Sequence, residues 1–277
     1  MNWEGPVAGI PDAIVRAVAQ LPEHLPGSER AGLYAAAKPG QLLQVVPGVA
    51  RYLARDGATI EVLPETGVDA GAVEIFLNGA VRAALMHQRG ELPLHAATLL
   101  APGGAAAVAI CGPSGVGKST LAVELSRRGW LLLADDTTRI TWDGRQALAW
   151  PTRGALKLWR DACQTIGQDT GSLERVRAGM EKFYLPVSFQ KETTPLAAIV
   201  ELSLSVSAGI SAVSGIDRLA LLSANTFRPR QIRPLGRLPQ HLRIVSQIAG
   251  KTNVFRLGGA RHLAAAALAD HIAEAAL

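Results

Sequence analysis

Apolar residues recur at helical spacing between Asp69 and Arg89. Val73, Phe76, Leu77, Val81, Leu85 and Met86 fall on one stripe, with Asp69 placed to cap the first turn and Gly90 to end the last. The spacing also predicts helices over Pro11–Gln20, Gly117–Arg128, Leu156–Ile166 and Leu238–Ala249, and a terminal one from Ala260 through the Ala-rich tail His262–Leu277. Strand patterns alternate with them. Arg51–Pro64 predicts a hairpin about Asp56-Gly57, and Thr138–Trp142 with Gln146–Trp150 a second about Asp143-Gly144. Leu92–Leu100, Ala105–Cys111, Trp130–Ala134, Ala197–Ser203 and Val254–Leu257 are short apolar runs, as buried strands require. Hairpins and strand–helix–strand units together predict an α/β fold with a mixed sheet. The expected division is an N-terminal elaboration over 1–48 and one larger domain over 49–277.

Composition narrows the class. In 277 residues, 48% are hydrophobic and 18% charged, enough apolar material for a sizeable core, which excludes a disordered chain. Two cysteines are too few for a disulfide scaffold and suggest a reducing compartment. The most apolar stretch, 92–111, is broken by Pro93, His95 and Pro102-Gly103-Gly104, so no membrane span is expected. The N-terminus lacks a basic segment followed by an apolar run, and a cytoplasmic protein is the expectation. The net charge is +5 but unevenly spread. From Arg218 to Ala269 there are eight Arg, one Lys and no acid, so that window holds +9 and the remainder −4. Such a stretch should meet something anionic.

The most specific chemical signal is Gly112-Pro113-Ser114-Gly115-Val116-Gly117-Lys118-Ser119, followed by Thr120. It fits G-x-x-x-x-G-K-[ST], a pattern that arises by chance in roughly 0.5% of chains of this composition. Glycines let consecutive N–H groups turn inward around a phosphate where a Cβ would clash. The following helix adds its positive end, Lys118 reaches the β and γ oxygens, and Ser119 is the hydroxyl for Mg²⁺. Residues 112–120 are therefore the expected nucleotide site.

Leu131–Ala134 then leads into Asp135-Asp136, two carboxylates at a strand end, where functional groups of α/β sheets gather. Phosphoryl transfer needs one acid near the metal and can use another to take a hydroxyl proton. His95, in the strand before the loop, could hydrogen-bond an aspartate there. Thr137-Thr138-Arg139 is better explained as the start of a strand. An extra cation should face the developing charge. Candidates are Lys182 beside Phe183 and Tyr184, together with Arg153, Lys157, Arg228, Arg230, Arg233 and Arg237. Nucleic acid is not expected, since only Phe227 and Phe255 are aromatic in the basic window. Cys111 is expected to be a small buried hydrophobe.

The run from Leu94-His95 through the 112–120 loop to Arg128-Gly129 and Asp135-Asp136 resembles the catalytic domain of HPr kinase/phosphorylase. It is most like the shorter HPr-kinase-like proteins, some of which modify the tails of lasso peptides. The resemblance is clear over about residues 92–140. It implies a P-loop kinase core akin to phosphoenolpyruvate carboxykinase, with ATP and Mg²⁺ as cofactors. It also implies that Asp135 and Asp136 serve as base and metal-associated acid, the assignment taken here being Asp135 as base and Asp136 with Ser119 at the metal, and that His95 supports them. The family's later Glu followed by Arg-Gly and a glycine-rich turn has its nearest counterpart in Pro151–Lys157, where the acid is absent. The implied activity is transfer of a γ-phosphoryl group to a serine-type hydroxyl of a peptide or small protein. The alternatives are a small-molecule kinase and a nucleotide-gated regulatory module. Guanylate kinase shares the loop string, but its nucleotide-binding segment is missing here. Oligomeric state is left open.

Overall fold

The computed structural model describes residues 4–204, 208–259 and 264–276. The contacts divide the chain into two units, the first formed by residues 1–93, 176–180 and 227–244, the second by 94–175, 181–226 and 245–277.

In the first unit, β1 (Gly5–Val7), β2 (Ile10–Ala17), β3 (Glu29–Arg30), β4 (Ala35–Lys38), β5 (Gln41–Val46), β6 (Ala50–Arg55) and β7 (Thr59–Pro64) form a seven-stranded sheet ordered β1-β2-β7-β6-β5-β4-β3. The hairpin at Asp56-Gly57 pairs Ala50–Arg55 with Thr59–Pro64 as the turn signal predicts. The sheet runs across residue 48, since β5 pairs with β6 from Gln41↔Arg55 to Val46↔Ala50. The expected division at 48/49 is therefore not where the contacts divide. Residues 10–17 are also not the expected helix. Ile14 and Val15 are β-branched and pair in parallel with Thr59 and Ile60, a ladder that outweighs a weak helical pattern.

The amphipathic run is helical, in two pieces. α1 (Ala70–Phe76) is capped by Asp69, whose carboxylate accepts the Ala72 N–H at 3.0 Å. A π-helical turn over Leu77–Val81 follows, in which Gly79 departs from helical dihedrals, and α2 (Arg82–Gln88) continues. Val73, Leu77, Val81, Leu85 and Met86 pack on Tyr52, Ile60 and Val62 of the sheet, and the Tyr52 hydroxyl donates to the Val73 carbonyl at 3.0 Å.

The second unit starts at the end of β8 (Leu92–Leu94). β9 (Ala96–Leu100), β10 (Ala107–Cys111), α3 (Lys118–Arg127), β11 (Leu131–Ala134), β12 (Thr138–Trp142) and β13 (Ala147–Trp150) follow. Then come β14 (Ala155–Trp159), α4 (Arg160–Thr165), β15 (Lys182–Pro186), β16 (Thr194–Leu202), β17 (Gly209–Ala212) and α5 (Ile216–Ala224). α6 (Leu238–Lys251), β18 (Asn253–Gly258) and α7 (Ala265–Ala276) complete the chain. The sheet is mixed: β10, β16 and β18 are parallel, whereas β9 is antiparallel to both β10 and β11. Every residue of β10 is buried. Its Val108 and Ile110 share a core with Leu121 and Leu125 of α3 and Leu268 and Ile272 of α7.

The expected helix over 156–166 is instead β14 followed by the short α4. Leu156 and Leu158 are buried while Lys157 and Trp159 are not, a period of two, and β14 pairs with β15 at Lys157↔Tyr184. Among the described residues no helix is long and apolar enough to cross a membrane. Both cysteines are free and buried.

Two stability predictions follow from these cores. Ile110→Ala removes a fully buried side chain and should cost about 2–5 kcal/mol in urea unfolding. The second concerns pH. His87 is buried and its Nε2–H donates to the Phe227 carbonyl at 3.0 Å. Burial pushes the imidazole down to about 4. The folded value lies below the unfolded one, so this stability is present above about pH 6.5 and lost as pH falls toward 4, on the order of 3 kcal/mol in total. Denaturation midpoints between pH 7 and pH 4 should show the fall, and His87→Gln should flatten it.

Candidate functional site

The glycine loop leaves β10 and opens α3, as its sequence requires. Gly112, Gly115 and Gly117 hold φ of 130°, 77° and 103°, conformations that L side chains rarely adopt. At Gly112 a Cβ would lie 2.7 Å from the Leu202 carbonyl oxygen. At Gly115 and Gly117 nothing lies within 4 Å of where a Cβ would be, so the loop is a cradle open to an approaching group. The Gly112 N–H donates to Asn225 Oδ1 at 3.0 Å, and Asn225 Nδ2 donates to Glu201 at 2.9 Å. Lys118 folds back over the loop, its Nζ donating to the carbonyls of Gly112 at 2.7 Å and Pro113 at 3.0 Å.

A cavity of about 350 Å³ opens beside the loop. Ser114, Gly115, Gly117, Lys118, Ser119 and Thr120 line it from one side, and His95, Asp136, Lys157 and Lys182 complete it with Trp159, Asp161 and Thr165 of the β14–α4 segment. The structure thus brings together the loop, His95, Asp136 and Lys182, all singled out in the sequence.

The two carboxylates are held differently. Asp135 accepts the Lys157 backbone N–H at 2.8 Å. Burial, reinforced by the charge of Asp136, pushes its carboxyl up to about 6. Asp136 sits at φ 70°, a left-handed conformation that Asp tolerates better than most residues. Its Oδ2 meets Lys157 Nζ at 3.3 Å. Burial works to raise its carboxyl as well, but Lys157, Lys182 and His95 outweigh it and hold the group below the usual carboxylate range. His95 Nδ1 lies 2.7 Å from the Asp136 backbone oxygen, not its carboxylate. A carbonyl only accepts, so Nδ1 carries the hydrogen and Nε2 of the neutral ring does not. Burial pushes His95 below its usual value, and Lys118 adds to this.

Other candidates lie elsewhere. Arg153 pairs with Glu174 at 3.0 Å and stacks over Tyr184 at 3.8 Å. Arg228, Arg230, Arg233 and Arg237 belong to the first unit, whereas the residues lining the loop cavity all belong to the second. The basic window is thus divided, with the 228–237 arginines in the first unit and Arg218 and Arg256 in the second. Thr138 is buried against Thr98 at 2.7 Å, and buried Arg139 stacks on Trp150. Cys111 is fully buried and its thiol is pushed up by burial. Asp161, Thr165 and Trp159 had no signal in the sequence beyond residue type.

Among the described residues no three His, Cys, Asp or Glu gather into a metal cage. Mg²⁺ characteristically takes one or two protein oxygens and completes its shell with phosphates and water. The Ser119 hydroxyl and the Asp136 carboxylate, which line the same cavity, are a donor set of that kind.

No family model matches the chain, and no curated protein matches it. A solved structure, the HPr(Ser) kinase/phosphatase from Coxiella burnetii, is similar at 12% identity and a TM-score of 0.37, over 66% of this chain and 94% of that one. At that TM-score the likeness fixes neither the core type nor the activity.

The loop geometry makes a graded prediction. Gly112→Ala meets backbone and an adverse φ together, whereas Gly115→Ala meets an adverse φ in open space. Thermal unfolding should show the second costing about 1–2 kcal/mol and the first clearly more. Equal losses would show that the Leu202 carbonyl yields.

Proposed function

We propose that this chain is an ATP-dependent kinase of the HPr-kinase-like type, with a P-loop core, that transfers a phosphoryl group to a serine-type hydroxyl of a peptide or small protein. The observation that carries it is one cavity holding a glycine loop with positive φ at three positions, its lysine, and an acidic residue flanked by two further lysines. When bound, Mg·ATP supplies the transferable phosphoryl group and a divalent charge.

The chain's own residues do the rest. The N–H groups of the loop and of the first turn of α3 receive phosphate oxygens. The Lys118 ammonium exchanges the carbonyls of Gly112 and Pro113 for those oxygens. Ser119 and Asp136 hold the metal; Asp136 suits this because its lysine neighbours keep it ionised. Asp135 takes the acceptor's hydroxyl proton, and a carboxyl raised to about 6 is a better base for that task than an ordinary one. Lys157 and Lys182 face the charge that spreads over the equatorial oxygens during transfer. His95 fixes the Asp136 backbone through its Nδ1–H.

The test uses γ-labelled ATP, a panel of serine peptides and mass spectrometry of labelled products. Lys118→Ala should lose nucleotide binding. Asp135→Asn should bind nucleotide within about twofold of the parent yet transfer at least about 100-fold more slowly, the usual scale for losing a general base. Full transfer by Asp135→Asn would remove the assigned base. Labelling of a metabolite and of no peptide would replace the acceptor class, and binding without transfer to anything would replace the kinase reading.

A further inference from the structure

The first unit carries a two-part cleft that the loop chemistry does not use. Its outer part is a trough of about 530 Å³ formed by the end of β3 and the 229–234 segment. Arg30, Arg230 and Arg233 line it against a single acid, Glu29. Its inner part is a cavity of about 180 Å³ walled by Tyr34, Phe76, Ala80, Gln44 and Gln231, with Arg228 also lining it. Gly32 lines both parts, so the two adjoin.

Two observations point to a ligand. First, Arg30 Nε donates to the Gly32 carbonyl at 3.2 Å, but the other two trough arginines are unspent. Arg16, Arg55 and Arg89 of the same unit each pair with a carboxylate. Arg230 and Arg233 are exposed and, among the described residues, make no ion pair. Second, the rim is apolar where solvent should favour polar residues: Leu33 is 74% exposed and Tyr34 44%.

We infer that this cleft binds an acidic peptide segment, its carboxylates in the arginine trough and one apolar side chain in the inner cavity. The inner cavity falls below the roughly 300 Å³ at which sites for whole small molecules begin, so it suits a single side chain. Arg forks suit carboxylates, and Arg228, over the Phe227 ring at 5.0 Å, adds a cation to the lining of the inner cavity. A nucleic-acid strand fits less well. It needs several exposed aromatic faces along a continuous basic track, whereas Tyr34 is the one exposed aromatic lining the cleft and Glu29 interrupts the basic trough. The inference rests on the first unit alone and stands or falls independently of phosphoryl transfer.

The experiment is fluorescence anisotropy without nucleotide. It compares labelled Asp/Glu-rich peptides carrying one central Leu or Phe, the same peptides with Ser in its place, and a single-stranded oligonucleotide of equal charge. The apolar-bearing acidic peptide should bind most tightly and weaken as salt rises. Arg230→Ala/Arg233→Ala, a surface change, should raise its Kd by about tenfold or more while leaving the unfolding midpoint unchanged. Leu33→Ser should reduce the preference for Leu over Ser. Absence of peptide binding, binding indifferent to the paired arginine change, or tighter binding of the oligonucleotide would overturn the inference. So would a concentration-dependent dimer in sedimentation that the same arginine change abolishes.

Discussion

Two adjacent carboxylates at the end of a buried strand cannot both be charged cheaply. Burial penalises each, and each raises the other. The site is arranged around that conflict. Asp135 accepts the Lys157 backbone N–H, which favours its charged form, but burial and the charge of Asp136 outweigh that and leave it hard to ionise. Asp136, forced into a left-handed turn, faces Lys157 Nζ and the charge of Lys182, and stays ionised. One residue, Lys157, serves both acids through different atoms. Two chemically identical side chains thereby acquire different characters, as a proton acceptor and a metal-side ligand must have in the proposed transfer.

The fold supplies the positions. A parallel pair, β10 and β16, aims the loop and Glu201 toward the same end, and Glu201 steadies the loop's first N–H through Asn225. β14 and β15 bring Lys157 and Lys182 in from a separate two-stranded sheet. The lysines and carboxylates therefore come from different elements; Asp136 and both lysines line the loop cavity, whereas Asp135 is not among its lining residues.

The loop was legible in the sequence because its residue types are dictated by backbone conformation: three glycines stand where φ is positive, and little else would fit at Gly112. Asp135-Asp136 was legible as acid at the end of an apolar run. The role of Lys157 was not, because it depends on β14 being a strand paired with residues 182–186, and Leu156–Ile166 matches a helical spacing almost as well. Residues 10–17 misled for a similar reason: they lie between the three-residue β1 just before them and β7, which begins more than forty residues later and which no local pattern announces. The charge window misled differently. Nine cations run together along the chain, yet the fold deals them between two units and stacks or pairs several, including Arg256 on Glu201. Both units are also assembled from non-contiguous segments, which leaves no linker for a sequence to show.

The division of labour between the two aspartates can be measured directly by following their carboxyl carbons through a pH titration of the nucleotide-free protein by NMR. Asp135 should titrate near 6 and Asp136 below the ordinary carboxylate value of about 3.9, and Lys157→Met should bring Asp136 upward. Two aspartates titrating together near 4, indifferent to Lys157, would contradict the account.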